Sequence, residues 1–241
     1  MSVLVVTGTG TGVGKTVVTA ALAALAAARG ATVAVAKPAQ TGVGQHEEGD
    51  VDVVRRLAGV EDLHEFVRYP DPLAPAAAAR VSALAALDLV EAAGRIRELA
   101  RSHRLVLVEG AGGLLVRYDE DGGTIADLAR MLSAPVLVVA PPTLGTLNHT
   151  ALTLETMANR GLALAGVVLG WWPESPDLAS RCNIRDLETL AARPLSGALR
   201  DGCGQLDAPE FLLAARDGLA PDLGGRFDAA DFRRTHAPEA T

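Results

Sequence analysis

Two lysines, two acids and a hydroxyl stand within the first 110 residues, two of them closing short apolar runs and two following a glycine-rich loop. The stretch VVTGTGTGVGKTVVTAAL, residues 5–22, passes from a β-branched run through alternating Gly and Thr to Gly14-Lys15-Thr16. A strand, a glycine-rich turn and a helix start, in that order, aim backbone N–H groups and the positive end of a helix at one anion. Glycines that only turn a strand into a helix have no need of Lys-Thr directly after them. A nucleotide phosphate does: the Lys15 ammonium reaches the β- and γ-phosphates, and the Thr16 hydroxyl ligates Mg2+. The common pattern GxxxxGK[ST] asks for glycine at position 9, but Thr9 is there and Gly8 lies one residue further back, so this loop is longer by one. A dinucleotide-type GxGxxG reading of the same glycines leaves the Lys-Thr pair without a role.

Three further residues fit the chemistry of a phosphate. Lys37 closes the run TVAVAK in AKPAQTG, at the carboxyl end of an expected strand, where parallel sheets place ligands. From position alone it is either a γ-phosphate contact or a surface lysine capping a strand. Asp50 follows the loop GVGQHEEGD and opens a helix, as an N-cap, a metal-shell carboxylate, or both. Asp52 competes for that role, and spacing to the helix start favours Asp50. Glu109 ends LVLVEGAGG, an acid after an apolar run, with Gly110, Gly112 and Gly113 letting the backbone approach a ligand closely.

The elements that must position these groups alternate along the chain. Strand-like runs at 3–7, 32–37, 105–110, 135–140 and 165–170 are separated by helical stretches near 15–29, 50–58, 82–102, 124–132, 146–160 and 178–192. The pattern predicts an α/β fold with a largely parallel sheet and helices on both faces, a P-loop NTPase-type sandwich. Gly30 is placed to stop the first helix as a C′ glycine. One domain over 1–241 is expected, with a polar, Pro- and Gly-rich extension from about 218 that shows no clear element. Composition, 49% hydrophobic and 21% charged, excludes the disordered class. A net charge of −7 without a Lys/Arg cluster excludes a nucleic-acid face. With no apolar run of membrane length and no leader-like start, a cytoplasmic protein without a membrane partner is expected. Cys182 and Cys203 are too far apart for a CxxC pair and read as reduced thiols without metal or disulfide. His46, His64, His103 and His236 show no metal-like spacing, and His149 reads as structural.

Taken together, the long loop GTGTGVGKT, the strand end KPAQTG, the segment VEGAGGLLV and above all LGTLNHTALTLE at 144–155 resemble the dethiobiotin synthetase family, over residues 2 to about 200. The resemblance implies an ATP-dependent ligase of biotin biosynthesis. Diaminopelargonic acid captures CO2 (bicarbonate) as a carbamate, the carbamate oxygen attacks the γ-phosphate of a Mg2+-bound nucleotide, and the mixed carbamic-phosphoric anhydride closes to the ureido ring. Two anions must meet in that step, so lysines on both sides are required. Residue by residue, the resemblance implies catalytic roles for Lys37 and Lys15. It implies a Mg2+ shell of Thr16, Asp50 and Glu109, and nucleotide contacts from Gly12, Val13, Gly14, Lys15, Thr16 and Val17 together with Asp50 and Glu109. Substrate contacts fall on Thr11, Lys15, Lys37, Thr41, Pro75 with its neighbours Ala74 and Ala76, Gly112 and Gly113. Leu144, Thr146, Leu147 and Asn148 would receive the distal carboxylate of the substrate bound to a neighbouring subunit, which implies a homodimer. Their own physical logic agrees, because the first turn of a helix offers free N–H groups, although a plain helix cap reads the same way.

The departures bear on the base. Members of the family commonly carry an acid at position 10, and some at 12, where this chain has glycine. At the end of VVLGWW, Gly170 stands where many members present an adenine-reading Asn. Base recognition then falls to backbone of Gly170 and Trp171 and of PLSGAL, chiefly Gly197 and Ala198, a relaxed reading that admits CTP or other nucleotides beside ATP. Trp171 or Trp172 either stacks on the base or packs beside the sheet edge. Among rival classes, a partitioning or septum-positioning ATPase needs a second lysine early in its loop, where this chain has Thr9, Gly10 and Thr11. A glutamine-dependent amidotransferase needs a glutaminase domain with a nucleophilic cysteine, which neither Cys182 nor Cys203 supplies.

Overall fold

The computed structural model describes residues 3–238. Seven strands form one parallel sheet: β1 (Val3–Gly8), β2 (Val33–Thr41), β3 (Leu63–Tyr69), β4 (Leu105–Gly113), β5 (Val136–Ala140), β6 (Leu164–Trp172) and β7 (Gly197–Arg200), in the order β3-β2-β4-β1-β5-β6-β7. Nine helices are described: α1 (Lys15–Ala28), α2 (Asp50–Ala58), α3 (Pro75–Ser82), α4 (Leu89–Ser102), α5 (Ile125–Leu132), α6 (Thr146–Asn159), α7 (Leu178–Ala191), α8 (Ala208–Gly218) and α9 (Ala229–His236). The core strands are apolar on both faces because helices cover both. Leu4, Val6, Val35, Leu107, Val139 and Val168 meet α1, α2 and α8, while Val5, Ala36, Val108, Val138 and Val167 pack with α3 to α7 on the other side.

Helix α1 is Ala- and Leu-rich and ends as its sequence predicts. Gly30, at φ 76°, gives its N–H to Ala27, and Ala31 gives its N–H to Ala26, which closes a Schellman end. Four expectations give way. Strand β3, LHEFVRY, is half-buried along most of its length because it is an edge strand, so it lacks the apolar run that marks the others. Strand β7 has four residues, too few to show a period. The helix expected over 82–102 is α4 alone, which starts only where Asp88 accepts the N–H groups of Val90 and Glu91 at 2.8 and 3.0 Å, and α3 lies before it at Pro75–Ser82.

The extension from 218 is the fourth. It makes a short 3-10 turn at Pro221–Leu223 and then α9, which docks Phe232 edge-on against Trp172 with ring centroids 4.9 Å apart. The docking is aromatic and spread over distant residues, so no local apolar period announces it. Residues 239–241 of the extension lie outside the described residues. Among those described, no helix is long and apolar enough to cross a membrane.

Candidate functional site

The loop between β1 and α1 lies over the carboxyl ends of the central strands, beside the crossover in strand order where α/β sheets bind ligands. The first intrahelical bond of α1 runs from Val18 N–H to Gly14 O, 3.0 Å, so the N–H groups of Lys15, Thr16 and Val17 precede it. Lys15 is 7% exposed, and its Nζ donates to Gly10 O at 2.8 Å, drawing the glycine loop around its own ammonium. Burial and the neighbouring Lys37 charge push the Lys15 pKa down to about 8, with Glu109 and Asp50 partly offsetting them.

Strands β2 and β4 bring Lys37 and Glu109 together beneath this loop. Both are buried, 3% and 1% exposed, and a buried charge needs a partner. Lys37 Nζ donates to Glu109 Oε1 at 2.8 Å and to Gly110 O at 3.3 Å, and it also pairs with the Asp50 carboxylate. Thr16 Oγ1 donates to the same Glu109 oxygen at 2.9 Å. Burial alone lowers a lysine pKa, but the Glu109 and Asp50 carboxylates outweigh it and hold Lys37 above its usual value. Burial likewise works against the ionised Asp50, and the Lys37 ammonium overcomes it and holds that carboxyl below its usual range. One hydroxyl and two carboxylates, all hard oxygen donors, thus converge beneath the phosphate loop. That donor set suits Mg2+.

A cleft of about 670 Å3 opens above this cluster. It brings Thr11, Gly12, Gly14, Thr41, Pro75 and Gly112 to the same space as Lys15, Thr16, Lys37, Asp50 and Glu109. Val43, Pro72, Leu73 and Val116 line it too and were not singled out in the sequence, since nothing marks an apolar residue in a loop as a wall. Gln40 was also missed. It is buried beside Lys37's strand end, and its Oε1 accepts the Asp50 N–H at 3.0 Å. Tyr118, fully buried, accepts the Ala111 N–H at 2.7 Å and so holds the turn that carries Gly112.

Other expected residues lie elsewhere. Gly113 lines a neighbouring groove of about 420 Å3 with Thr9, Thr11, Leu115, His149 and Leu152. Leu144, 86% exposed, and Leu147 and Asn148 stand at the start of α6, outside the Lys37 cleft of the same chain. Thr146 departs from the expected row of free amides. Its N–H is taken by Thr143 O at 3.1 Å and its side chain is buried, which leaves Leu147 and Asn148 ahead of the first helical bond from His149 to Gly145.

The structure bears on the base-reading residues at three places. A Cβ on Gly170 would stand 1.9 Å from Val13 O, and one on Gly14 would stand 2.7 Å from Gly170 O, so Gly170 is glycine because the phosphate loop lies directly on its backbone. Gly197 and Ala198 are buried at the amino end of β7, away from the carboxyl edge where the loop lies, and the strand instead delivers Arg200 and Asp201 to that edge. Trp172 is 7% exposed and packed with Phe232 and His236, so it is a packing residue, while Trp171 beside it stays half-buried.

An AAA domain family matches residues 2–200. The ATP-dependent dethiobiotin synthetase BioD of Parafrankia sp. (strain EAN1pec) is 66% identical over 237 residues, covering 98% of this chain and all of its own length. That of Streptomyces avermitilis is 56% identical over 238 residues, 99% of this chain and again all of its own. Among solved structures, the Pyrococcus furiosus cell division ATPase MinD is 21% identical with a TM-score of 0.54 over 89% of this chain and 90% of its own. A ParA family ATPase from Chlorobium tepidum is 15% identical with a TM-score of 0.56 over 92% and 95%. The solved structures share the P-loop α/β fold, and the full-length identity to the synthetases shows that the chain belongs to the ATP-dependent dethiobiotin synthetase family.

Proposed function

We propose that this chain is a cytoplasmic ligase that carboxylates 7,8-diaminopelargonic acid and closes its ureido ring at the expense of ATP. The observation that carries the reading is Lys37, a buried ammonium shared by Asp50 and Glu109, set beside the phosphate loop and open to a cleft that runs on to Pro75. In this reading the N–H groups at the start of α1 and the Lys15 ammonium hold the β- and γ-phosphates. Thr16, Asp50 and Glu109 hold Mg2+, which neutralises phosphate charge when bound. Lys37 then faces the γ-phosphate on the substrate side and offsets the repulsion between it and an incoming carbamate oxygen, which bonds to the γ-phosphorus as the bond to the bridging oxygen breaks and the nucleoside diphosphate leaves. The second amine attacks the resulting carbamic-phosphoric anhydride, closes the ring and expels phosphate. Thr11, Thr41, Pro75 and the backbone of Gly112 and Gly113 orient the diamine for that closure.

The N–H groups of Leu147 and Asn148 suit a carboxylate but stand apart from the Lys37 cleft of their own chain. We therefore assign them, with Leu144, to the active site of a second copy in a homodimer. The exposed Leu115 and Leu152 beside Gly113 supply apolar surface for that contact. The base is read by peptide groups of Gly170 and Trp171 and of the chain leaving β7 at Arg200, a mode that accepts CTP as well as ATP. Strict use of ATP in a nucleotide panel overturns that last statement alone.

The deciding experiment is phosphate release by the purified protein with Mg2+ and nucleotide, omitting bicarbonate or the diamine in turn. Release that needs both and is lost in Lys37→Ala supports the ligase. Release indifferent to the diamine refutes it and favours a regulatory ATPase.

A further inference from the structure

The loop that delivers Asp50 is held from outside the cleft. Residues 42–49 leave β2, pass over β3 and return to begin α2. With Gly42, Gly44 and Gly49 and two acids among eight residues, they have little apolar surface of their own to bury. Arg68 fixes them. It sits on β3 opposite Gln40 in the β2–β3 register. Its Nη1 donates to the carbonyls of Gly44 and Glu47, both at 2.8 Å. Its Nε and Nη2 donate to the two oxygens of Glu65 at 2.6 and 2.9 Å, so a carboxylate on the same strand sets the plane of the fork.

The same guanidinium reaches the start of α2. Its Nη2 lies 3.9 Å from Asp52 Oδ2, the oxygen that accepts the Gly49 N–H at 3.0 Å. A Cβ at position 49 would stand 2.7 Å from Nη2, so a larger residue there would push the guanidinium aside. Gln40, one register step across, takes the next amide, that of Asp50. Arg68 therefore ties the middle of the loop and its junction with the helix to one rigid strand, and Asp50 is the first residue beyond that junction.

We propose that Arg68 is a positioning residue for the Asp50 carboxylate, and through it sets the affinity of the site for Mg2+ with bound nucleotide. The proposal rests on the reading of Asp50 as a metal-shell residue. Four hydrogen bonds at fixed angles require the planar five-donor fork of arginine, and a lysine ammonium on the same strand cannot make them together. Partners that orient metal ligands from behind commonly account for a factor of about 10–100 in metal affinity.

Calorimetric titration of Mg2+ into protein holding a non-hydrolysable ATP analogue tests this in wild type, Arg68→Met, Arg68→Lys, Asp50→Asn and the Arg68→Met/Asp50→Asn double variant. Hydrogen exchange of residues 43–50 without metal provides a second readout. Expected are a rise of about tenfold or more in the Mg2+ dissociation constant for Arg68→Met, little recovery in Arg68→Lys, and faster exchange confined to that loop. The double variant should be no weaker than Asp50→Asn alone, because Arg68 acts through Asp50. Wild-type Mg2+ affinity in Arg68→Met with a weakened Asp50→Asn overturns the role of Arg68 and leaves that of Asp50 standing. Full recovery in Arg68→Lys, or losses that simply add in the double variant, also overturn it. An Asp50→Asn protein that binds Mg2+ as tightly as wild type overturns the reading of Asp50 and this proposal with it.

Discussion

Replacing Gly170 by alanine adds one methyl group at the tightest backbone approach around the phosphate loop. The built Cβ stands 1.9 Å from Val13 O and 2.7 Å from Val139 Cγ1. Carbon–oxygen contacts settle near 3.3–3.6 Å, so the loop and the end of β6 must separate by about 1.4 Å or more. Neither side yields easily, because β6 is hydrogen-bonded to β5 through Leu169 and the loop is pinned by Thr9 N–H on Val139 O at 3.0 Å. Overpacking of this kind costs about 1–3 kcal/mol of stability, or roughly 2–4 °C in melting temperature per kcal/mol for a chain of this size. A displacement near 1 Å in a positioning element costs on the order of 100-fold in rate, so kcat/KM for the nucleotide should fall by about that factor, with Gly170→Asn at least as damaging. The assay is diamine-dependent phosphate release against nucleotide concentration, alongside thermal unfolding. A Gly170→Ala protein with wild-type nucleotide KM and melting temperature refutes the reasoning. A Gly170→Asn protein that gains preference for ATP would show that a side chain at position 170 fits and reads the base.

Further outcomes follow from the same geometry. Lys37→Ala strands the buried Glu109 carboxylate, and loss of one partner from a buried pair costs about 3–5 kcal/mol; the Lys37→Ala/Glu109→Gln double variant should melt above Lys37→Ala, and a lower melting point contradicts this. With its pKa lowered to about 8 in the free protein, Lys15 is charged below that pH and neutral above it, so kcat/KM for the nucleotide should decline as pH rises through 8. A profile flat to about pH 9.5 excludes that role for the free-enzyme ammonium. Tyr118→Phe orphans the buried Ala111 N–H at a cost of about 1–3 kcal/mol, read by denaturant unfolding; an unchanged midpoint shows that the turn holds without it. Phe232→Ala, removing a half-buried ring from Trp172, should cost roughly 1–2 kcal/mol and free α9 to limited proteolysis, whereas wild-type resistance means the ring does not hold the helix.

The sequence and the structure coincide where one local signal does one job. Gly14-Lys15-Thr16 and the Gly30 helix stop follow from a few adjacent residues and stand at their expected element boundaries, and Lys37 and Glu109 lie in their expected strands, four residues short of the observed ends. What stays hidden depends on pairing at a distance. Strands β2 and β4 run beyond their apolar cores, to Thr41 and Gly113, because Tyr69 and Gly8 lie opposite those ends. Gln40 and Arg68 look like ordinary polar residues until the register sets them side by side. Gly170 carried a chemical meaning by comparison with its relatives, and its steric meaning appeared only with Val13 in view. The two terminal surprises, Gly197 inside a strand and α9 over Trp172, share a cause, since an edge strand of four residues and a helix docked by aromatics leave no period to read.

The docking of α9 also gives the protein an optical handle. Its two tryptophans are neighbours in the chain yet inhabit different surroundings. Trp171 is half-buried next to Gly170 at the rim of the phosphate loop, and Trp172 is enclosed by Phe232 and His236, with no hydrogen-bond partner for its indole N–H among the described residues. Emission from the first should respond to the arrival of a nucleotide, and emission from the second to the departure of the last helix. Single Trp→Phe variants would separate the two signals, so filling of the site and fraying of the terminus can be followed as two colours of intrinsic fluorescence without any added dye.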